Sequence, residues 1–383
     1  MSPVTRSFLA AIAAASLSGA FAQGNKFPEV PLNDKRFEYN QIPYKVDTDV
    51  GLERGVQYGY NICNSTTVGP ESKCQTAIIN SVDGALSSYF ELNPPPILLL
   101  VDFCLWGPPE PNSVVGNTEG EAVAYCTKPE HGTRLFPPGA LQGVQFTKTP
   151  DYIQVVGFLD QTKINMQADD YGGEMDPHGA DLRGNPMGGL LYSKAWSGDN
   201  FKQVIQWHNF MGAGFFCLKA CDPAGANDRK FCEHIFDRIG CKYNAPNNAQ
   251  NGTFESCLGE NQDFPGVYTQ NGQVMTYTQP PEELGAITAM PYEPRIPASS
   301  ECQKFESATL YAALGSASAT PTGSASGSAK PTGGLGGSNT QTTRSGTGTA
   351  DASTQTGEGN GAHTVSVSLL SIVGVVLSAA FLS

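Results

Sequence analysis

The sequence is poor in positive charge and in recognisable catalytic motifs. Its 383 residues include 23 Lys and Arg against 36 Asp and Glu, a net charge of −13. Because nucleic-acid binding depends on neutralising phosphates with Lys and Arg, this balance argues against a nucleic-acid partner. The chain also lacks a G-x-S-x-G elbow, an H-E-x-x-H pair, a phosphate-binding loop and a G-x-G-x-x-G turn after a strand. None of the enzyme classes that carry these motifs is therefore indicated.

Residues 1–22 have the composition of a secretory signal peptide. Arg6 supplies a positive start, and residues 8–20 form an apolar stretch that is too short to span a bilayer. Residues 20–22 form an A-x-A-like cleavage pattern, which predicts that the mature chain begins near Gln23. The alternative is a buried core helix, which would not normally end in that pattern.

Residues 363–383 are predicted to be a GPI-attachment signal that is removed when the lipid is added. The chain carries no charge over residues 365–382, and no Lys or Arg follows this apolar end. A retained membrane helix usually has such a basic flank, so this alternative is less favoured. Small residues before a short polar spacer fit the GPI pattern and predict attachment at Asn360, with Gly357 and Gly359 as alternatives.

Residues 315–362 have the composition of an O-glycosylated stalk. Ser and Thr account for 18 of the 48 residues, and Leu335 is the only large apolar side chain. Such a segment cannot bury enough apolar surface to offset its chain entropy, so it is predicted to be disordered. Sugars would extend it and hold the folded part away from the membrane. An unmodified flexible linker is the alternative.

Residues 23–314 are predicted to fold as one ectodomain that contains every cysteine. The region has 34 acidic and 20 basic residues, a net charge of −14. In an exported chain an even cysteine count predicts five disulfides. The ten cysteines are Cys63, Cys74, Cys104, Cys126, Cys217, Cys221, Cys232, Cys241, Cys257 and Cys302.

Cysteine spacing gives a hint of the pairing and otherwise leaves it open. Cys63 and Cys74 stand at a hairpin or loop separation, as do Cys104 and Cys126. Five more cysteines are crowded into residues 217–257. One of them is expected to pair with the isolated Cys302 and so clamp the C-terminal segment onto the body of the domain.

Short apolar, aromatic and β-branched runs bounded by Pro and Gly favour β-strands. None reaches the ten or more periodic residues of an ordinary helix, and double prolines separate several of them. The predicted strands are residues 97–103, 122–126, 144–147, 152–159, 190–193, 203–207 and 215–219.

One helix is predicted over residues 228–239, with Asp228 as its cap and Gly240 as its stop. Its apolar face would consist of Phe231, Ile235, Phe236 and Ile239. The predicted fold class is therefore mainly β: a single disulfide-stapled domain with one or two short helices, followed by the disordered Ser/Thr/Gly-rich stalk. A β-sandwich is one arrangement that fits.

The loop around Asp176, His178 and Asp181 is the sharpest candidate for chemistry. With Glu174 it places one imidazole and three carboxylates within eight residues. Such groups suit a transition metal or an acid–base pair acting on sugar. Asp, Gly and Pro are also turn formers, because Asp side chains bond their own backbone, and this structural interpretation is favoured.

Weaker candidates involve cysteine and aromatic side chains. By count, a zinc ligand set is formed by Cys217, Cys221, Cys232 and His234, but in an exported chain zinc would compete with disulfide formation. His208, next to Trp207 and Asn209, is a candidate sugar platform, but simple packing is the more frequent reason for an aromatic beside a histidine at a strand end and is favoured. A carbohydrate-binding module would instead be marked by exposed coplanar aromatics such as Trp106, Trp196 or Trp207. We expect no catalytic residue, metal or cofactor.

Two N-glycosylation sequons occur, at Asn64 and Asn251. Each lies near a cysteine and among turn-forming residues. Because the chain is predicted to be exported, both are expected to carry glycans.

Several phrases resemble a family of fungal surface proteins. They are residues 176–181 (DPHGAD), 184–186 (GNP), 257–268 (CLGENQDFPGVY), 275–281 (MTYTQPP) and 295–300 (RIPASS). These phrases are similar to the fungal proteins called immunoreactive mannoprotein or macrophage activating glycoprotein, over nearly all of residues 23–310. The resemblance implies a secreted, mannosylated, GPI-anchored surface protein that host mannose receptors and T cells recognise in pathogenic relatives. It implies no catalytic residues.

The expected function is therefore that of a non-enzymatic glycoprotein at the fungal cell surface or cell wall. Its expected partners are cell-wall polysaccharide, or host lectins and immune receptors bound through its glycans, and the outer leaflet of the plasma membrane through the lipid. The alternative is a wall-polysaccharide-binding module, or a carbohydrate-active or metal-dependent enzyme that uses Asp176, His178 and Asp181.

Overall fold

The described part of the chain consists mainly of short β-strands. The computed structural model describes residues 27–48, 52–80 and 101–311, all within the unit Met1–Thr322. The predicted signal peptide, stalk and attachment signal, with Asn360, lie outside these ranges. In chain order the described strands are β1 (Thr76–Asn80), β2 (Asp102–Gly107), β3 (Val123–Cys126), β4 (Arg134–Leu135), β5 (Leu141–Lys148), β6 (Tyr152–Leu159), β7 (Gly173–Met175), β8 (Leu190–Ser193), β9 (Lys202–Val204), β10 (Trp207–Gly212), β11 (Phe215–Cys221), β12 (Phe254–Gly259), β13 (Val267–Gln270), β14 (Gln273–Thr276) and β15 (Ser299–Lys304).

Helices within the described ranges are short. The α-helices bounded on both sides are α1 (Val115–Thr118), α2 (Asp228–Phe231) and α3 (Gly240–Asn244), and residues 308–311 are also helical. Single 3₁₀ turns occur at Leu32–Asp34, Tyr39–Gln41, Glu119–Glu121, Pro129–His131, Gln161–Ile164, Asp237–Ile239 and Glu282–Leu284. None of these described helices has the length and apolar character needed to cross a membrane.

Most strands belong to two mixed sheets. The first has six strands in the order β4-β3-β2-β1-β8-β9, and the second has seven in the order β15-β12-β5-β6-β11-β10-β7. Strand β1 runs parallel to β8, and β5 runs parallel to β12. The remaining pair, β13 and β14, forms a separate antiparallel hairpin.

The two sheets pack face to face around an aromatic core. Trp106 on β2 stacks on Trp207 on β10 with ring centroids 4.3 Å apart, and the backbone N–H of Trp106 donates to the side chain of Asn209 (3.0 Å). Phe103 on β2 stacks on Phe216 on β11, with centroids 6.2 Å apart. These contacts confirm a mainly β domain in which the two sheets form a sandwich.

The same contacts overturn the idea of a tryptophan sugar platform. Trp106 and Trp207 are 0% and 2% exposed, so neither can bind a ligand at the surface. Trp196 is half buried and packs against the core between the sheets. The tryptophans therefore stabilise the sandwich through the apolar area that they bury.

The seven-stranded sheet is covered on both faces. Residues of β6 and β11 point alternately inward and outward, yet both sets are largely buried. The outward set is covered by residues 222–250, which we call the cap. Two disulfides bond the cap to β11, namely Cys221–Cys232 and Cys217–Cys241. Burial on both faces explains why β6 is almost continuously apolar instead of alternating.

The predicted strands agree with the structure except at one crossing between the sheets. Residues 152–159 and 190–193 match β6 and β8, and residues 122–126, 144–147 and 215–219 fall on β3, β5 and β11. The run 97–103 is described only from residue 101, and β2 begins at Asp102. The prediction of one strand at 203–207 is wrong, because β9 ends in the first sheet at Val204 and β10 begins in the second sheet at Trp207.

The predicted helix over residues 228–239 is also wrong. Helix α2 ends at Phe231, and a 3₁₀ turn and α3 follow only from Asp237. Cys232 is bonded to β11, which holds the chain against the sheet where a helix would have turned away. Ile235, assigned to the apolar face, is 56% exposed. Gly240 begins α3 instead of ending a helix, at a φ of 58° that favours glycine.

All ten cysteines are paired, as predicted. The disulfides are Cys63–Cys74, Cys104–Cys126, Cys217–Cys241, Cys221–Cys232 and Cys257–Cys302. The bond to Cys302 ties β15 to β12 and confirms the expected clamp on the C-terminal segment. Pairing leaves no thiolate in the zinc ligand set considered from the sequence.

The clamp is expected to stabilise the fold more than the shortest cap disulfide does. Replacing Cys257 and Cys302 by Ser should lower the free energy of unfolding by about 4 kcal/mol, because it frees a loop of 45 residues. The matched change at Cys221 and Cys232, which close 11 residues, should cost about 3 kcal/mol. Denaturant unfolding measures both values, and equal stability of wild type and the Cys257/Cys302 variant would contradict a stabilising role for the clamp.

Candidate functional site

The loop predicted to carry chemistry is a closed turn. Backbone hydrogen bonds join Asp176 and Asn185 in both directions (2.9 and 2.8 Å), and Gly184 donates to the carbonyl of His178. The Oδ1 atom of Asp176 accepts the backbone N–H groups of His178 (2.6 Å) and Gly179 (2.9 Å). Asp176 therefore caps its own turn, as the structural interpretation of the sequence favoured.

Asp181 is used in a buried ion-pair network. Arg54 donates to both carboxylate oxygens of Asp181, at 2.7 and 2.5 Å. Next to this pair, Arg183 binds Asp47 at 2.6 Å, and both of these side chains are almost fully buried. Bidentate pairs of this kind fix the loop to the segment around Arg54 and leave Asp181 no open face toward a ligand.

His178 stacks on the cap instead of joining the two aspartates. Its ring lies 3.5 Å from that of His234, nearly parallel, and its Nε2 atom lies 3.4 Å from the side-chain oxygen of Gln206. Burial and the neighbouring His178 lower the pKa of His234 to about 4. Asp176, His178 and Asp181 thus do not converge on a common point, and the enzyme hypothesis loses the loop on which it rested.

A different cluster of carboxyl groups surrounds the edge strand β7. Glu174 lies opposite Phe210 on the outer face of the sheet, since its neighbour Met175 points into the core. Glu119, in the turn after α1, accepts a hydrogen bond from the side chain of Asn185 (2.8 Å). Asp176 also belongs to this carboxyl cluster, as do Asp237 and Glu233 of the cap, because the charges of all three act on Glu174.

Burial and mutual repulsion favour the protonated forms in this cluster. Burial, followed by the charge of Asp176, raises the pKa of Glu119 to about 7. Burial also raises the pKa of Glu174 well above its ordinary value, and Asp176 and Asp237 add to the effect. The pKa of Asp176 is raised by burial even though two backbone N–H groups oppose the shift. The Oε1 atom of Glu174 has no partner within the described part of the chain.

Burial favours the protonated forms of Glu119, Glu174 and Asp176, and the described carboxyl groups do not form a preformed cation site. Among the described residues, ligand atoms close enough for a metal ion occur together only at Glu255, Cys257 and Cys302, and these two cysteines are bonded to each other. Glu119 lies 57 residues before Asp176 and carries no motif, so sequence reasoning missed it. Only the tertiary contact through Asn185 brings it to the loop.

His208 is a packed interior side chain, the interpretation that its sequence context favoured over a sugar platform. His208 is 0% exposed beneath the cap, and its Nδ1 atom lies 3.3 Å from the carbonyl of Glu233. Lys219 is its neighbour across the sheet and donates to backbone carbonyls of Phe231 and Asn244 and to the side chain of Gln262. Burial lowers the pKa values of both His208 and Lys219. The layer between sheet and cap therefore contains buried polar side chains beside its apolar clusters.

Both glycosylation sequons lie on the surface. Asn64 and Asn251 are exposed. The side-chain oxygen of Asn64 accepts the hydroxyl and the backbone N–H of Thr66, at 2.7 and 2.9 Å. The amide nitrogen of Asn64 remains available for a glycan, and occupancy of both sites stays a prediction.

The fold and site define a disulfide-stapled β-sandwich with a polar, capped sheet. No protein-family model and no solved structure matches the chain. Appressorium protein ROW2 of Mycosarcoma maydis is 43% identical over 232 residues, which is 60% of this chain and 71% of that protein. Appressorium protein ROW1 of the same fungus is 39% identical over 276 residues, 70% of this chain and 58% of ROW1.

The chain therefore belongs to the same fungal protein family as ROW2. It spans little more than half the length of ROW1. Neither relative is named as a mannoprotein, so the resemblance to the immunoreactive mannoproteins stays a hypothesis.

Replacing Glu119 by Gln should stabilise the protein above neutral pH. Because the pKa of Glu119 is raised to about 7, its contribution to stability is complete below pH 4.5 and is lost as the pH rises through 7. After allowance for partial solvent screening, the variant should gain about 2 kcal/mol over wild type at pH 8 and almost nothing at pH 4.5. Urea unfolding at both pH values measures this, with the exposed neighbour Glu121→Gln as control. An equal effect at the two pH values would contradict the assignment.

Proposed function

We propose that this chain is an exported fungal cell-surface protein whose disulfide-stapled domain stands on a glycosylated stalk with a GPI anchor. The observation that carries the proposal is the pairing of all ten cysteines into five disulfides. Disulfides form and persist in the secretory pathway and outside the cell, whereas the cytosol keeps thiols reduced. The predicted signal peptide and attachment signal agree with that compartment.

The relatives support a fungal setting for the proposal. Both ROW2 and ROW1 are named for the appressorium, and we extend that setting to this chain. The acidic ectodomain suits an exposed, soluble surface. Its role is non-enzymatic in this proposal, since the candidate triad is dispersed and the carboxyl cluster lies largely within the fold.

The resemblance to immunoreactive mannoproteins adds a mechanism of recognition. In this extension, host lectins bind the surface sugars, and the fold presents these sugars at fixed positions. Asn64 and Asn251 lie far apart in sequence on exposed turns, which suits display of two separate glycans. The Ser and Thr residues of the predicted stalk would supply further sugars.

Location and anchoring are tested with the full chain carrying an internal tag after residue 23 and expressed in a fungus. The tag should appear at the surface of intact cells, and phosphatidylinositol-specific phospholipase or hydrogen fluoride should release the protein without the apolar end that follows its attachment residue. A variant ending at residue 362 is the control and should be secreted into the medium. Retention of the apolar end in the mature protein, or free thiols in purified material, would contradict the proposal.

Lectin recognition is tested by removing the sugars. Enzymatic deglycosylation should abolish binding to an immobilised mannose receptor, because the receptor binds the sugars. The circular dichroism spectrum should remain unchanged, because the core lies between the sheets and does not depend on the glycans. The double variant Asn64→Gln/Asn251→Gln should show no mass change on treatment with N-glycanase. It should keep the receptor binding that the stalk sugars contribute. Equal receptor binding by stripped and native protein would refute this mechanism.

A further inference from the structure

A groove of about 600 Å³ opens at the edge of the seven-stranded sheet. One wall is formed by the start of β7 and the turn between β10 and β11. The other is formed by the cap and by residues 293–296, which have no regular secondary structure. The side chains that matter are Tyr171, Phe215, Asp237, Lys242, Glu293 and Ile296. This volume is within the range of ordinary ligand sites.

Tyr171 stands at the rim of this groove with 89% of its surface exposed. Within the described residues its ring makes no aromatic contact, and its hydroxyl makes no hydrogen bond. Because most of the ring lies in solvent, its face is available to stack on a ligand.

The backbone around Tyr171 is nevertheless rigidly held. The carboxylate of Asp170 accepts the N–H groups of Val115 (2.8 Å) and Gly172 (2.9 Å), and its backbone carbonyl accepts the N–H of Ala213 (2.9 Å). Gly172 has a φ of 88°, and a Cβ atom there would lie 1.5 Å from the carbonyl oxygen of Met211. Only glycine fits this position. The fold thus fixes the main chain on both sides of a ring that is almost fully exposed.

The charges that line the groove cancel. Asp237 and Glu293 supply two carboxylates, and Arg238 and Lys242 supply two cations. Lys242 pairs with Glu293 at 2.6 Å, and Arg238 donates to the carbonyl of Pro280 at 2.6 Å. A polyanion would meet no positive excess here and would be repelled by the net charge of −14 on residues 23–314. An uncharged ligand rich in hydroxyl groups fits this mixture of donors and acceptors.

We propose that this groove binds a strand of neutral polysaccharide, with one sugar ring stacked on Tyr171 and its hydroxyl groups bonded to the polar wall. The electron-rich face of tyrosine attracts the positively polarised C–H groups of a sugar ring. Phe215, held edge-on against Phe158 at 5.1 Å, offers a second apolar surface in the groove. The choice of polymer rests on the proposed function, because neutral polysaccharide surrounds a protein tethered at a fungal wall.

The test uses the natively processed protein, purified from the producing fungus and mixed with insoluble β-1,3-glucan, chitin or cellulose. Wild type should co-sediment with at least one polymer, and a soluble oligosaccharide of that polymer should compete. Tyr171→Ala should weaken binding about 5- to 10-fold, as expected for the loss of one stacking contact. Tyr171→Trp should retain binding.

The matched control is Tyr44→Ala, which removes another exposed tyrosine (59%) on the segment before β1. It should bind as wild type does. No sedimentation with any of the three polymers, or unchanged binding by Tyr171→Ala, would overturn the proposal. Neither result bears on surface location and lipid anchoring, which are measured in cells, so failure of the groove and failure of the proposed function are distinguishable.

Discussion

The covering of the outer face of the seven-stranded sheet is the constraint on which the rest of the structure depends. The opposite face packs on the first sheet through the stack of Trp106 on Trp207. Without the cap, the outer face of the sheet would expose Tyr152, Val156 and Phe210. The helices of the cap are too short to fix its position by themselves. Two disulfides to β11 supply that hold, which explains why cysteines are concentrated in this part of the chain.

The cap also creates an unusual interior. Lys219 and His208 lie between sheet and cap with no exposure, and burial disfavours the charged form of both. Carbonyl groups of the cap receive the amine of Lys219, so the polar side chain has partners even without a carboxylate. On the neighbouring edge strand Glu174 is buried among other carboxyl groups. These groups therefore have opposite effects on the pH dependence of stability. The raised pKa values of the carboxyl groups favour the folded state at low pH, and the lowered pKa values of His208 and Lys219 favour it at high pH.

The loop that looked most chemical and the groove that looks most accessible are different places. In the loop, Asp176 caps its own turn, His178 stacks on His234 and Asp181 pairs with Arg54. These contacts hold the loop against its neighbours. The groove beside β7 contains few residues that stand out in a sequence, and its key feature is one exposed ring on a fixed backbone. Family membership with ROW2 does not name a ligand for either place.

Composition and local pattern were sufficient for the mainly β class and for strands such as residues 152–159, because apolar runs and turn residues act over short distances. The even cysteine count predicted five disulfides, but it left the partner of Cys302 open among five cysteines. Tertiary structure alone decided that a disulfide at Cys232 would break the helix predicted over residues 228–239. It likewise decided that Glu119 would meet Asp176 and that Tyr171 would be left in solvent. The physical reason is that burial and pairing depend on which distant segments come to lie together, and this information is carried by packing and not by spacing along the chain.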